Sequence, residues 1–190
     1  MKRLLQLSFL LFSIFYFSQT FFNGEIVNTD PQNRKFRKSR QFFYGQLTNQ
    51  EYLDKKSLIE KELETIIPQG KSIFITYEQA AKNCSLISYG SLKNYHNLHV
   101  KIAKHISSQN NAEPFFIFKD DSFPNVKKFT EINVNFKLDS GFFSENIFTL
   151  QENCEAFFIL KPNGNYLICY GTDSFSYASD FLKRKKVKKK

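Results

Sequence analysis

The sequence predicts an α/β fold in which a mixed central sheet carries helices on both faces. Short apolar runs typical of buried strands lie at 72–77, 114–118 and 156–160. Segments with apolar residues three and four positions apart lie between them, and residues 162–164 (Pro-Asn-Gly) indicate a hairpin turn after the third run. Because a helix separates the first two strands, they should be parallel, whereas the hairpin makes the last two antiparallel.

The first helix is expected at about 49–66. Thr48 and Glu51 fit a capping box at its start, and Pro68 with Gly70 ends it. The other expected elements are helices at 91–107 and 126–132, a brief extended segment at 134–138, a returning hairpin strand at 166–170 and a last helix after Thr172.

The N-terminus has the pattern of a secretory signal peptide. Lys2 and Arg3 precede an apolar run at 4–17, which suits a signal core and is short of the roughly 20 residues that span a bilayer. We expect cleavage after Ser18 and a periplasmic or secreted protein, although Tyr16 is bulky for this site. An uncleaved N-terminal anchor is the alternative.

The positive charge lies mainly at the ends of the chain. The formal net charge is +9, and residues 183–190 contribute seven basic side chains. Without them and the two in the signal, the charges of residues 19–182 cancel, which excludes a nucleic-acid-binding domain with a basic folded face. The basic tail is interpreted either as a solvated end or as a contact for an anionic membrane surface. The expected organisation is a signal at 1–18, an arm or linker at 19–45, one domain at 46–182 and a basic tail at 183–190.

Residues 155–164 carry the most specific likeness to a known family. Glu155 precedes an apolar run that ends in a lysine and the Pro-Asn-Gly turn, and Cys84 follows the first buried strand. Over about residues 55–184 the chain resembles the thioredoxin superfamily, in particular its exported thiol–disulfide oxidoreductases and peroxiredoxin-like proteins. The resemblance implies a three-layer thioredoxin-like sandwich. It also implies a reactive cysteine at a helix N-terminus, where the helix dipole stabilises a thiolate.

Three positions depart from the pattern of that family. Ile87 stands where a second active-site cysteine is usual, and Ala81 stands where the peroxidases carry threonine. Glu155 occupies the position of the family's cis-proline, and a cis bond before glutamate is costly, so we expect a trans bond. These departures weaken the prediction of redox activity more than the prediction of the fold.

The chain has three cysteines, Cys84, Cys154 and Cys169. The resemblance implies that Cys154 lies beside Cys84, so Cys84 is the candidate nucleophile and Cys154 its resolving or disulfide partner. A bridge, a single reactive Cys84 and three inert buried thiols all stay open, while Cys169 is expected in the core. A redox role would act on a protein thiol or disulfide or on a peroxide, and it implies no cofactor.

Two other functions are compatible with the sequence. A thioredoxin-fold protein that has lost catalysis would bind a partner or serve as a structural protein of the cell envelope. A surface-associated protein would use its basic tail for attachment, with the fold as a carrier.

The histidines and one pair of aspartates have simpler interpretations than catalysis. His96, His99 and His105 share one predicted helix and are expected on its solvated face, without a metal. Asp120 and Asp121 are expected to cap the helix that follows them.

Overall fold

The computed structural model describes residues 40–81, 92–132, 135–171 and 175–184, with side chains omitted at 92–95. The strands are β1 (Gln41–Gln46), β2 (Ser72–Glu78), β3 (Ala112–Phe118), β4 (Phe136–Leu138), β5 (Glu155–Leu160) and β6 (Asn165–Tyr170). The helices are α1 (Asn49–Leu63), α2 (Leu92–Gln109), α3 (Val126–Ile132), α4 (Phe142–Asn146) and α5 (Phe175–Lys183).

All six strands form one mixed sheet with the order β1-β6-β5-β2-β3-β4. Strand β2 is parallel to β3, with α2 as the crossover, and antiparallel to β5. The β5–β6 hairpin supplies the next two positions, as the turn signal predicted. The fold is therefore α/β and thioredoxin-like, which confirms the predicted class.

Helices cover both faces of this sheet because alternate strand residues point to opposite sides. On one face, α2 and α5 pack against Phe74, Phe116 and Phe157. On the other face, α1 and α4 pack against Ile73, Ile75 and Phe158. The sheet is thus the middle layer of three, with a separate apolar core on each side.

The first helix follows the predicted capping box and ends earlier than predicted. The Thr48 hydroxyl accepts a hydrogen bond from the Glu51 amide, and the Glu51 carboxylate accepts one from the Thr48 amide at 2.7 Å. At the other end, Glu64 adopts a left-handed conformation with φ of 51°, which stops the helix at Leu63. Ile66, the last residue of the predicted helix, lies beyond the observed one and is 88% exposed.

Strand β1 lies within the segment that we interpreted as an arm or linker at 19–45. It pairs antiparallel with β6 and forms one edge of the sheet. Gly45 permits this pairing, because a Cβ there would lie 2.4 Å from the Tyr166 ring. The sheet therefore begins at Gln41, before the domain boundary expected at 46.

The predicted signal at 1–18 lies outside the described residues, as do residues 185–190 of the basic tail predicted at 183–190. Lys183, the first residue of that predicted tail, is instead the last residue of α5. Within the part of the chain that is described, no helix is long and apolar enough to span a bilayer.

Candidate functional site

The candidate site lies where β2 and β3 end and β5 begins. Glu78, the last residue of β2, is paired in register with Glu155, the first residue of β5. Phe118, at the end of β3, is the parallel neighbour of Glu78. The carboxyl ends of parallel strands are a common place for binding and catalysis in α/β folds.

Cys154 lies directly at this edge and is disulfide-bonded. Its side chain is buried, with 2% of the residue exposed. The Cys154 carbonyl accepts a hydrogen bond of 2.9 Å from the Gln79 amide, which joins the two strand ends. The predicted nucleophile, Cys84, lies outside the described residues, as do Ser85, Leu86 and Ile87.

Cys169 is a free thiol in the core. Burial raises its pKa to about 12, and the charge of Arg40 only partly opposes this rise. A thiol with such a pKa is protonated at neutral pH and is a poor nucleophile. The prediction that Cys169 is a core residue is confirmed.

The side chain of Gln79 fixes the loop that leads into Cys154. Its amide nitrogen lies 2.8 Å from the Leu150 carbonyl, 3.1 Å from that of Glu152 and 3.2 Å from that of Asn153. Asn153 itself takes a left-handed conformation with φ of 60°. A single buried amide group thus holds the turn that places Cys154.

Glu155 is the residue that the resemblance was expected to set at a cis-proline position. Its peptide bond is trans, as expected, since the described residues contain no cis bond. The Glu155 carbonyl accepts a hydrogen bond of 2.8 Å from the Gly171 amide. Its carboxylate is buried, and one oxygen lies 3.9 Å from Nδ1 of His99.

Glu78 forms a second and closer carboxylate–imidazole pair with His96. The Glu78 carboxylate oxygen lies 3.0 Å from Nδ1 of His96. Burial raises the pKa of Glu78, and the contact with His96 partly opposes the rise. His96 is only 1% exposed, so the prediction that it lies on a solvated helix face is wrong.

His96 is buried because the other side of its ring lies in a cage of phenylalanine rings. The four ring centroids, of Phe118, Phe123, Phe129 and Phe136, lie between 5.0 and 5.9 Å from its own. These residues come from β3, β4, α3 and the loop before α3. His105 is exposed, as predicted.

The two glutamates line a small cleft at the strand ends. His99 and Phe175 form its helical wall, with the two rings 5.1 Å apart. Thr76 contributes to the opposite wall. The cleft has a volume of about 20 Å³, which is room for about one water molecule between the two carboxylates and the His99 imidazole.

Asp121 does not act as the predicted helix cap. One carboxylate oxygen accepts a hydrogen bond of 3.1 Å from the Ala80 amide, and the other lies 3.4 Å from the ammonium group of Lys119. It therefore ties the end of β3 to the segment after β2. Within the described ranges, no group of three or more histidine, cysteine or acidic side chains is arranged to hold a metal.

Gln79 and Glu78 were not identified from the sequence. Glu78 offers one usable signal, because it is an ionisable residue directly after a buried strand that ends at the carboxyl edge. Gln79 offers none, since its role depends on carbonyl groups more than 70 positions away in the chain.

No family model and no curated protein matches the sequence. One similar solved structure is described as BsSco, a member of the Sco family of cytochrome c oxidase assembly proteins, in which a disulfide switch was identified. The likeness covers 60% of this chain and 80% of that one, at 13% identity and a TM-score of 0.35. A likeness with so low a TM-score carries no argument about this chain. The fold is therefore assigned from the strand order and strand directions of the chain itself.

Proposed function

We propose that this chain is an exported thiol–disulfide redox protein whose redox centre joins Cys84 and Cys154. The observation that carries the proposal is the disulfide bond at Cys154, at the carboxyl edge of the sheet. Because Cys169 is a free thiol and the chain has three cysteines, Cys84 is the remaining intramolecular partner.

The proposed reaction is a thiol–disulfide exchange in two steps. A substrate thiolate attacks the sulfur of Cys84, which forms a mixed disulfide and releases Cys154 as a thiolate that takes up a proton. A second substrate thiolate then attacks the mixed disulfide, which yields a substrate disulfide and a reduced Cys84. Burial of Cys154 favours Cys84 as the sulfur that is attacked from outside.

The alternative is a structural bridge in a binding or envelope protein without redox turnover. The same burial of Cys154 favours it, because a bridge that no partner can reach resists reduction. Ile87, in place of a second active-site cysteine, points the same way. The reduction potential separates the two functions, since structural bridges lie below about −300 mV and thiol-exchange proteins at about −270 to −120 mV.

The test is a redox titration in glutathione buffers, read by alkylation and mass spectrometry. The proposal expects one bridge between Cys84 and Cys154 with a potential above about −270 mV. In the reverse direction the Cys84 thiolate of the reduced pair attacks a substrate disulfide, so the proposal also expects disulfide reduction that Cys84→Ser abolishes. Cys169→Ser is the matched control and should leave both readouts unchanged. A potential below about −300 mV, or turnover that survives Cys84→Ser, would refute the redox role.

Export requires a separate measurement. We expect cell fractionation to recover the protein outside the cytoplasm, with Gln19 as its first residue. Recovery in the cytoplasm with Met1 retained would contradict export, and recovery in the membrane with Met1 retained would favour the anchor.

A further inference from the structure

Aromatic side chains of β1 and α5 form a continuous surface at one edge of the sheet. Phe42 lies 4.9 Å from Tyr177, and Tyr44 lies 6.2 Å from Phe181, measured between ring centroids. Tyr44 is 50% exposed and Tyr177 is 38% exposed. We call this surface the tyrosine pole, defined by Arg40, Phe42, Tyr44, Tyr177 and Arg184.

The described chain both enters and leaves the fold at the tyrosine pole. The Arg40 guanidinium lies 5.5 Å from the centre of the Tyr177 ring. At the other end, the Lys161 ammonium group donates hydrogen bonds to the carbonyls of Leu182, at 3.0 Å, and Arg184, at 2.5 Å. Lys161 therefore fixes the position at which the chain leaves α5.

Two basic segments start from these two points. Residues 34–40 contain five lysines and arginines, residues 183–190 contain seven, and neither segment contains an acidic residue. Residues 41–182 instead contain 13 lysines against 16 aspartates and glutamates. The molecule is thus a weakly acidic body with its positive charge concentrated where both segments join it.

Among the residues that the structure describes, two acidic groups belong to the surroundings of the tyrosine pole. Glu152 accepts a hydrogen bond from Gln41, and Asp180 lies on α5. Burial raises the pKa of Tyr44, whereas the charge of Arg184 lowers it. Two carboxylates do not offset twelve basic residues.

We propose that the tyrosine pole and its two basic segments dock on an anionic lipid surface and so fix the orientation of the domain. Lysine and arginine clusters are attracted to anionic headgroups, and exposed tyrosines favour the membrane–water interface. The acidic body opposes binding through any other face. The choice of lipid rests on the proposed export, because a protein outside the cytoplasm meets anionic headgroups rather than nucleic acid.

The experiment is co-sedimentation of the full chain with phosphatidylcholine vesicles, with and without phosphatidylglycerol. One partition coefficient is measured with phosphatidylglycerol and one without it, and the readout is their ratio. Any contribution of the apolar run is the same in both coefficients and cancels. We expect anionic vesicles to be strongly preferred at low salt and the preference to fall as salt screens the charges. A ratio near one would overturn the proposal.

Variants test which residues cause the preference. Deletion of 185–190 should lower the ratio by at least about 100-fold, and Arg40→Glu with Arg184→Glu should lower it by about 10-fold or more. Tyr44→Ser with Tyr177→Ser should lower anionic binding several-fold.

The matched control is Lys127→Glu with Lys128→Glu, on exposed positions of α3 near the opposite sheet edge. We expect this control to change the ratio by less than about threefold. An equal loss in the control would show that only net charge matters and would overturn the orientation. Tighter binding to single-stranded DNA than to anionic vesicles would overturn the choice of lipid.

Discussion

The substitution Gln79→Met tests whether one buried amide group holds the loop that places Cys154. Methionine has nearly the same length and fills the same space, so it removes the hydrogen bonds and leaves little cavity. The backbone hydrogen bond from the residue 79 amide to the Cys154 carbonyl stays in place. Any loss of stability therefore reports on the side-chain amide.

The size of the effect follows from the number of hydrogen bonds. The Gln79 amide has two protons for three carbonyl acceptors, so two full bonds is the most that it donates. Each lost bond costs about 1 kcal/mol, and a buried carbonyl left without a donor costs about 1–3 kcal/mol. We expect the free energy of unfolding to fall by about 2–4 kcal/mol.

Urea unfolding followed by circular dichroism, with the disulfide intact, measures this loss. The matched control is Gln50→Met, since the Gln50 amide makes one exposed hydrogen bond of 2.8 Å to Asp54 on the surface of α1. The control should change the free energy by less than about 0.5 kcal/mol. If Gln79→Met also stayed within about 0.5 kcal/mol of wild type, the reasoning would be refuted.

Three further substitutions test the hairpin turn and the buried pair. In urea unfolding, Gly164→Ala should lower the free energy of unfolding by about 1–3 kcal/mol more than its control Gly70→Ala. Both glycines have φ of +80°, but only a Cβ at Gly164 would meet backbone, 2.3 Å from the Leu47 carbonyl oxygen. Equal losses in the two variants would contradict this. Burial raises the pKa of Glu78 above its ordinary 4.5, although the contact with His96 partly lowers it. The stability that Glu78 contributes is therefore fully present below pH 4.5 and is lost as the pH rises through the pKa of the folded state. Glu78→Gln should therefore be more stable than wild type at pH 7, with the gain shrinking toward pH 4.5; a gain independent of pH would rule out titration as its cause. His96→Phe should cost about 3 kcal/mol or more at pH 7 by leaving the Glu78 carboxylate buried without its partner, and much less in a Glu78→Gln background; equal costs in the two backgrounds would count against the pairing.

The elements that could be predicted are those whose signals are local. The capping box at Thr48, the buried strand at 72–77 and the turn at 162–164 each depend on a few neighbouring residues, and all three are observed. The parallel pairing of β2 with β3 followed from the helix between them. These parts give the parallel direction of the β2–β3 pair and the antiparallel direction of the β5–β6 hairpin, whereas the antiparallel pairing of β5 with β2 appears only in the structure.

The features that could not be predicted depend on contacts between distant segments. His96 has the position of a surface residue in the helical pattern, and its burial comes from phenylalanines on other elements. Strand β1 was not predicted because Gly45, a residue unfavourable in strands, cuts short its apolar run. The reason for a glycine at this position is its close contact with the Tyr166 ring of β6. The phenylalanines around His96 and the Tyr166 ring beside Gly45 lie in other segments of the chain. The sequence pattern of one segment therefore cannot reveal these contacts.

The two carboxylate–imidazole pairs are better understood as one matched set of four residues. Glu78 and Glu155 are directly opposite on antiparallel strands, where like charges are unfavourable and the Cβ atoms lie about 4.5–5.5 Å apart. His96 and His99 are three apart on α2, a spacing of about 5–6 Å that fits the separation of the glutamates. One helix therefore supplies one imidazole to each strand end, which makes it possible to bury two facing glutamates beside a disulfide. A buried glutamate at residue 155 is then compatible with the fold because α2 carries His99 opposite it.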